Sequence, residues 1–182
     1  MSTEPRTEAK TNRTAEWEAA DAKARSAVRE IGVSTREQVA GMSGLELLRA
    51  IIDGRLPAAP ITKTLDFALV EAEPGRVAFQ GRPSAAHYNP LGTVHGGWFA
   101  TLLDSAVACA VHSLLPPGKA YTTAELKINI VRPLTDKVPL VRAEGNIIHF
   151  GGRMGTAEGR LSGPDGKLYA HASTTCFIFD NA

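Results

Sequence analysis

A long apolar segment, from Gly96 to Leu115, constrains the fold more than any other feature of this sequence. It is rich in alanine and poor in β-branched residues, and it ends at Pro116-Pro117, where a helix cannot continue. The pattern therefore predicts one helix of about 19 residues, roughly 28 Å long. Because its middle is apolar nearly all round, we expect this helix to be buried on most sides.

The segments before and after this helix have the two-residue period of β-strands. Before it, alternation on both sides of Glu73-Pro74-Gly75 predicts a hairpin over Ile61–Arg82. After it come four strand-like segments, at residues 123–130, 139–150, 153–162 and 168–179. Parallel strands would need crossover helices between them, and none is predicted there. The order indicates an α+β fold in which an antiparallel sheet wraps around one long central helix.

Residues 1–42 differ from the rest, with few large apolar residues and equal numbers of basic and acidic ones. Apolar residues three and four apart predict an amphipathic helix over about residues 14–31, with a stripe of Trp17, Ala20, Ala24, Val28 and Ile31. A capping-box pattern at Ser43–Glu46 begins a second helix, which Gly54 ends. We therefore divide the chain into a helical, partly flexible N-terminal extension (1–42) and a main domain (43–182).

Charge and composition exclude several function classes. The net charge of +1 argues against a nucleic-acid partner bound through its phosphates. The polar N-terminus predicts no secretory signal, and the longest apolar segment is too short and too interrupted to cross a bilayer, so we expect a cytoplasmic protein. Cys109 and Cys176 have no CxxC spacing and are expected to be reduced and buried.

Motif searches narrow the chemistry further. The sequence has no GxSxG elbow of a serine hydrolase and no phosphate-binding P-loop. The histidines show no metal-ligand spacing, so no metal site is predicted.

Two glycines open the central helix, in the sequence His95-Gly96-Gly97. Each glycine costs a helix roughly 1 kcal/mol relative to alanine, so the pair needs a reason. One reason is a tight turn from loop to helix. The other is that bare amides at a helix N-terminus form a site that a developing oxyanion can approach closely.

Asp104 lies in the middle of this apolar helix. A buried carboxylate must be hydrogen-bonded, paired or close to a water-filled site, because burying it alone costs several kcal/mol. It could be a surface or structural residue. The apolar residues that flank it favour a general base or nucleophile with a perturbed pKa.

The spacing of Gly96 and Asp104 has a geometric consequence. Eight residues of one helix span about 12 Å along its axis. The Gly96 amide and Asp104 of one chain therefore cannot act on the same carbonyl carbon. A two-fold dimer with antiparallel central helices would bring Gly96 of one chain close to Asp104 of the other.

These residues resemble those of a known family. The run Asn89-Pro90-Leu91-Gly92-Thr93-Val94-His95-Gly96-Gly97, followed by Asp104, is similar to the hotdog-fold acyl-CoA thioesterases. It is most similar to the phenylacetic-acid (PaaI-like) type within the 4-hydroxybenzoyl-CoA thioesterase superfamily. The resemblance continues in residues 121–126, 131–134, 151–153 and 170–176, and it covers about residues 43–179.

The resemblance implies a catalytic role for five residues. Asp104 would activate water or attack the thioester carbonyl, and the Gly96 amide would polarise that carbonyl. Asn89 would orient substrate or water, His95 would lie near the thioester sulfur, and Thr123 would hold the attacking water beside the acid. The family dimer places this site at the subunit interface.

The resemblance also implies where the substrate binds. Gly97 is expected to bind the substrate, and the acyl chain would lie near Trp98 and Leu103. Trp98 would limit the depth of the pocket and so favour short, medium or aromatic acyl groups. Arg153, and more weakly Arg132, would meet CoA phosphates, unless they are only solvated strand ends. No cofactor is required, since CoA is part of the substrate.

Two other functions remain open on this fold. One is a non-catalytic acyl-CoA binding or sensing protein, against which the acid at Asp104 argues. The other is a hydratase or dehydratase, whose chemistry needs a histidine and an acid paired beside the thioester. In either case we expect self-association as a dimer, and as a dimer of dimers.

Overall fold

A computed structural model describes residues 4–180, with the backbone alone for residues 4–11. Its helices are α1 (Glu4–Ala27), α2 (Arg36–Val39), α3 (Gly44–Ile52), α4 (Pro60–Thr64) and α5 (Gly96–His112), with a 3-10 turn at Ala85–His87. Its strands are β1 (Phe67–Glu73), β2 (Arg76–Gly81), β3 (Lys119–Ile130), β4 (Val141–Phe150), β5 (Met154–Ser162) and β6 (Leu168–Asp180).

The six strands form one antiparallel sheet in the order β1-β2-β4-β5-β6-β3. Helix α5 packs across this sheet and contacts five of its strands. The predicted α+β fold is confirmed, and it is the hotdog fold. Strands β1 and β3 are the two edges, and the part of α5 that the sheet does not cover lies between them.

Apolar burial and close packing hold α5 on the sheet. The buried side chains of α5 form the core: Trp98, Phe99, Leu102, Leu103, Ala106, Val107, Ala108, Ala110 and Val111. The helix approaches β4 so closely that a Cβ on Gly145 would lie 2.2 Å from the carbonyl oxygen of Ala106. Only glycine fits at this position, and it fixes the depth at which α5 crosses the sheet.

The N-terminal helices cover the β1 edge. Helix α1 contacts β1, and α3 contacts both β1 and α5. The predicted capping box of α3 is present, because Ser43 Oγ accepts from the Glu46 amide and the Glu46 carboxylate accepts from the Ser43 amide. The extension is therefore packed on the sheet from α1 onward. The flexible part expected at its start falls partly on residues outside the described range.

Several predicted elements have different boundaries in the structure. Residues 60–64 form helix α4 instead of the first part of a strand, because Pro60 favours a helix N-terminus and Thr62 Oγ1 donates to the carbonyl of Ala59. Helix α5 ends at His112, where Ser113 Oγ donates to the carbonyl of Ala110 and accepts from the Gly75 amide. Helix α1 ends at Ala27, earlier than the predicted residue 31.

Candidate active site

Asp104 and Thr123 meet where α5 passes under strand β3. The Thr123 hydroxyl donates to Asp104 Oδ1 at 3.1 Å. The register of β3 against β6 shifts between Thr123 and Glu125. Such a bulge changes the direction in which a strand points its side chains. The bulge and the helix together place a hydroxyl beside a carboxylate.

Burial raises the pKa of Asp104, and the hydrogen bond from Thr123 offsets part of that rise. The side chain is half-buried, so water can reach it. A carboxylate that is poorly solvated and held by one hydrogen bond is a stronger base than an exposed aspartate. Asp104 can therefore accept a proton from a bound water or attack an electrophile.

A cavity of about 490 Å³ opens beside Asp104. At this end it is lined by six residues of α5 and β3: Asp104, Ser105, Ala108, Cys109, Tyr121 and Thr123. Burial raises the pKa of the Cys109 thiol to about 12, so this cysteine stays protonated and unreactive. Asp104 is consequently the reactive group at this end of the cavity.

The N-terminus of α5 presents a second group of predicted residues. His95 is the N-cap, and its Nδ1 accepts from the Gly97 amide at 2.9 Å. In the described part of the chain the Gly96 N–H donates to no protein acceptor. The amide of Gly96, rather than that of Gly97, is thus available to polarise a carbonyl.

Asn89 shapes the loop that leads to His95. Its Oδ1 accepts from the amides of Leu91 (2.9 Å) and Thr93 (3.4 Å), and its Nδ2 donates to Thr93 Oγ1 at 3.0 Å. The His95 amide then donates to the carbonyl of His87 at 2.8 Å. These hydrogen bonds hold the loop that leads into α5. Asn89 therefore helps to position the Gly96 amide at the start of that helix.

The structure keeps these two groups apart within one chain. Asp104 and Thr123 lie in the middle of α5 and on β3, whereas Asn89, His95 and Gly96 lie at the helix N-terminus. The rise of the helix separates Gly96 from Asp104 by about 12 Å. Within one chain the predicted catalytic residues therefore form two separate groups, named here the Asp104 half-site and the Gly96 half-site.

Trp98 and Leu103 lie in the core and do not line the cavity. Trp98 is 3% exposed, stacks on His87, and donates from Nε1 to the carbonyl of Leu65 at 2.8 Å. Leu103 is completely buried. Both project from α5 toward the sheet, whereas Asp104 projects toward the gap between the edge strands. Their sequence positions alone did not reveal which side faces the cavity.

The two predicted CoA-binding arginines are exposed and lie at opposite ends of the sheet. Arg132 follows Ile130, which lies 3.3 Å from the position of a Cβ on Gly96. Arg153 precedes Met154, which pairs with Phe177 near the Thr123 end of β3. Arg132 is thus associated with the Gly96 half-site, and Arg153 with the Asp104 half-site.

Sequence reasoning missed the residues that line the other end of the cavity. Ala24 lies near the end of α1, Val28 directly follows that helix, and Leu48 and Ile51 belong to α3. The signal was present in the apolar stripes of both helices, but a stripe does not distinguish a core contact from a cavity wall.

Two searches of the described residues gave negative results. They contain no group of three or more His, Cys, Asp or Glu side chains arranged to hold a metal ion. None of the helices among them combines the length and the apolar character needed to cross a membrane.

Comparison with known proteins gives a match over the central part of the chain. Residues 91–170 match the thioesterase superfamily. No curated protein sequence gives a significant match.

Solved structures extend the similarity over the fold. A phenylacetic acid degradation-related protein from Ralstonia eutropha is 27% identical, with a TM-score of 0.65 over 71% of this chain and 98% of its own. The phenylacetic acid degradation protein PaaI from Thermus thermophilus is 27% identical, with a TM-score of 0.58 over 65% and 97%. A thioesterase family protein from Silicibacter pomeroyi is 23% identical, with a TM-score of 0.66 over 76% and 100%.

Proposed function

We propose that this chain, which has the hotdog fold and matches the thioesterase superfamily over residues 91–170, is a PaaI-like thioesterase that hydrolyses acyl-CoA thioesters to a free acid and CoA. The observation that carries the proposal is the half-buried carboxylate of Asp104, held by Thr123 at the wall of a cavity. The superfamily match over residues 91–170 includes the helix that carries this carboxylate.

In the proposed reaction Asp104 acts as general base. Its carboxylate takes a proton from water while the water oxygen bonds to the thioester carbon. The carbonyl oxygen becomes an oxyanion, and the Gly96 N–H donates to it. The carbon–sulfur bond then breaks, and the proton passes to the CoA thiolate. The alternative, in which Asp104 attacks the carbon and water hydrolyses the resulting anhydride, uses the same residues.

The proposed site requires two protomers. Since Gly96 and Asp104 of one chain are about 12 Å apart along α5, Gly96 must come from a second copy. The exposed edge of β3 lies beside both half-sites and would pair the two chains around a two-fold axis. Two equivalent sites per dimer follow, and a dimer of dimers would double them.

The remaining roles belong to the same proposal. Asn89 and His95 hold the Gly96 amide in place, and His95 lies on the side of the thioester sulfur. Gly97 lies against the thioester. Arg132 of one protomer and Arg153 of the other contact the CoA phosphates. The reaction needs no cofactor, and we propose that it takes place in the cytoplasm.

The test is thiol release from acyl-CoAs with acetyl, hexanoyl, phenylacetyl, 4-hydroxybenzoyl and palmitoyl groups, for wild type and Asp104→Asn. We expect saturable turnover that falls by about 10² or more in the folded variant, the effect of losing a general base. Binding without turnover by the wild type would indicate the non-catalytic sensor instead. Hydration of crotonyl-CoA without thiol release would indicate a hydratase.

A further inference from the structure

One cavity connects the N-terminal helices to Asp104. The end of the cavity opposite Asp104 and Thr123 is lined by six residues of α1, of the segment after α1, and of α3: Ala24, Arg25, Val28, Ile31, Leu48 and Ile51. All six residues precede residue 91, where the superfamily match begins. This end of the cavity is therefore built outside the matched segment.

Ion pairs fix this wall in position. Asp21 of α1 is completely buried, and its Oδ2 accepts from Arg82 Nε (2.9 Å) and Nη2 (2.8 Å), at the end of β2. The same oxygen accepts from Arg25 Nε at 2.9 Å. Arg25 Nη1 in turn donates to Asp66 Oδ1 at 2.6 Å, in the turn before β1. Helix α1 is thus tied to the end of β2 and to the turn before β1.

The chemistry of the wall selects an apolar occupant. Ala24, Val28, Leu48 and Ile51 offer only hydrocarbon surface. Four polar residues away from the Asp104 end also border the cavity: Arg25, Thr62, Lys63 and Asp66. The guanidinium of Arg25 is bound by Asp21 and Asp66, and Lys63 is exposed to solvent. A volume of about 490 Å³ lies within the range of roughly 300–1,000 Å³ of small-molecule sites. It suits an uncharged aliphatic or aromatic acyl group.

We infer that the N-terminal helices form the end wall of the acyl site, and that Val28 limits the length of the acyl group. This inference rests on the proposed function, since it assigns the cavity to the acyl group whose thioester lies at Asp104. Val28 directly follows α1 and is only partly buried. Its side chain can therefore be enlarged or shortened without opening the core.

The test uses a ladder of straight-chain acyl-CoAs from acetyl to dodecanoyl. Val28→Trp should lower kcat/KM at least tenfold for the longest acyl groups that wild type accepts, and leave acetyl-CoA within about twofold. Val28→Ala should shift the preference toward longer groups. The matched control is Val33→Trp, because Val33 in the same segment is 84% exposed; it should leave the whole ladder unchanged.

Binding of hydrolysis-resistant acyl-CoA thioethers, followed by calorimetry, separates this inference from the proposed function. Suppose wild type hydrolyses the acyl-CoAs, and Val28→Trp leaves kcat/KM unchanged or lowers it equally for every chain length in a folded protein. The proposed end wall is then wrong, and the proposed thioesterase function stands. If wild type shows no turnover but binds the thioethers in a way that depends on chain length, and Val28→Trp alters that dependence, the end wall is supported and the proposed hydrolysis is wrong. The absence of both binding and turnover overturns both.

Discussion

The hydroxyl of Thr123 donates to the carboxylate of Asp104 across 3.1 Å, from an edge strand to the central helix. This bond holds the carboxylate of the proposed base in a fixed orientation. It also favours the ionised form, because it opposes the rise in the pKa of Asp104 that burial causes.

Thr123→Val should therefore change the pH dependence of activity. Without the hydroxyl, the pKa of Asp104 rises further, and the acid limb of the kcat profile moves to higher pH. Thr123→Ser keeps the hydroxyl and should leave the limb in place. The measurement is kcat between pH 5 and pH 9 for the three proteins. A limb that does not move in the valine variant would contradict the role of this hydrogen bond.

Gly96→Pro should remove the proposed oxyanion donor without disturbing α5. Proline is favoured at the first helical position, and His95 before it is already extended, with ψ 141°. Loss of the N–H should lower kcat by about 10²–10³. Gly96→Ala keeps the N–H and should lose much less activity than the proline variant, although its Cβ would lie 3.3 Å from Ile130 Cδ1. Equal activity of the proline and alanine variants would exclude the amide from catalysis.

Mixing two inactive variants tests whether the site is shared between chains. A heterodimer of Asp104→Asn with Gly96→Pro has one intact site, because each chain supplies the group that the other lacks. Random exchange of equal amounts should restore about a quarter of wild-type activity, since half the dimers are mixed and half their sites are intact. No recovery after proven subunit exchange would place both groups in one chain.

Asp21→Ala should loosen the N-terminal helix. The carboxylate is completely buried and holds Arg25 and Arg82, so its loss removes the acceptor of Arg82 and leaves Arg25 with Asp66 alone. We expect a loss of about 2–3 kcal/mol in the free energy of unfolding in urea. Asp53→Ala removes an exposed pair with Arg55 and should cost less than about 0.5 kcal/mol. Equal losses in the two variants would argue against a structural role for Asp21.

The buried side chain of His112 should make the free energy of unfolding decrease as the solution becomes acidic. Burial lowers its pKa to about 4 in the folded protein, below the ordinary value near 6.5 that it regains on unfolding. Between these values the unfolded chain binds the proton and the folded chain does not, so unfolding becomes easier as pH falls. His112→Phe should reduce the loss of unfolding free energy from pH 7 to pH 5 by roughly 2 kcal/mol. An identical loss in both proteins would show that other groups cause it.

Local sequence patterns predicted the order of the elements and the candidate reactive groups. Local patterns sufficed for this: the apolar segment ended by Pro116, the alternation in the strands, and the acid at Asp104 in an apolar helix. They predicted helix α5, strands β4 to β6 to within a few residues, and an antiparallel sheet. Periodicity misplaced residues 60–64, where Pro60 and a threonine side chain favour a helical turn over a strand.

Which side of each helix faces the cavity depends on tertiary packing. Trp98 and Asp104 are six residues apart on α5, yet one packs into the sheet and the other lines the cavity. Six residues turn a helix by about 240°, so the two side chains point to different sides. Which side meets the sheet depends on contacts between distant segments, such as the close approach of α5 to Gly145. Likewise, the apolar stripe that includes Ala24 and Val28 lines the cavity because Asp21 holds α1 against the sheet. Such choices depend on long-range packing, which local sequence patterns do not encode.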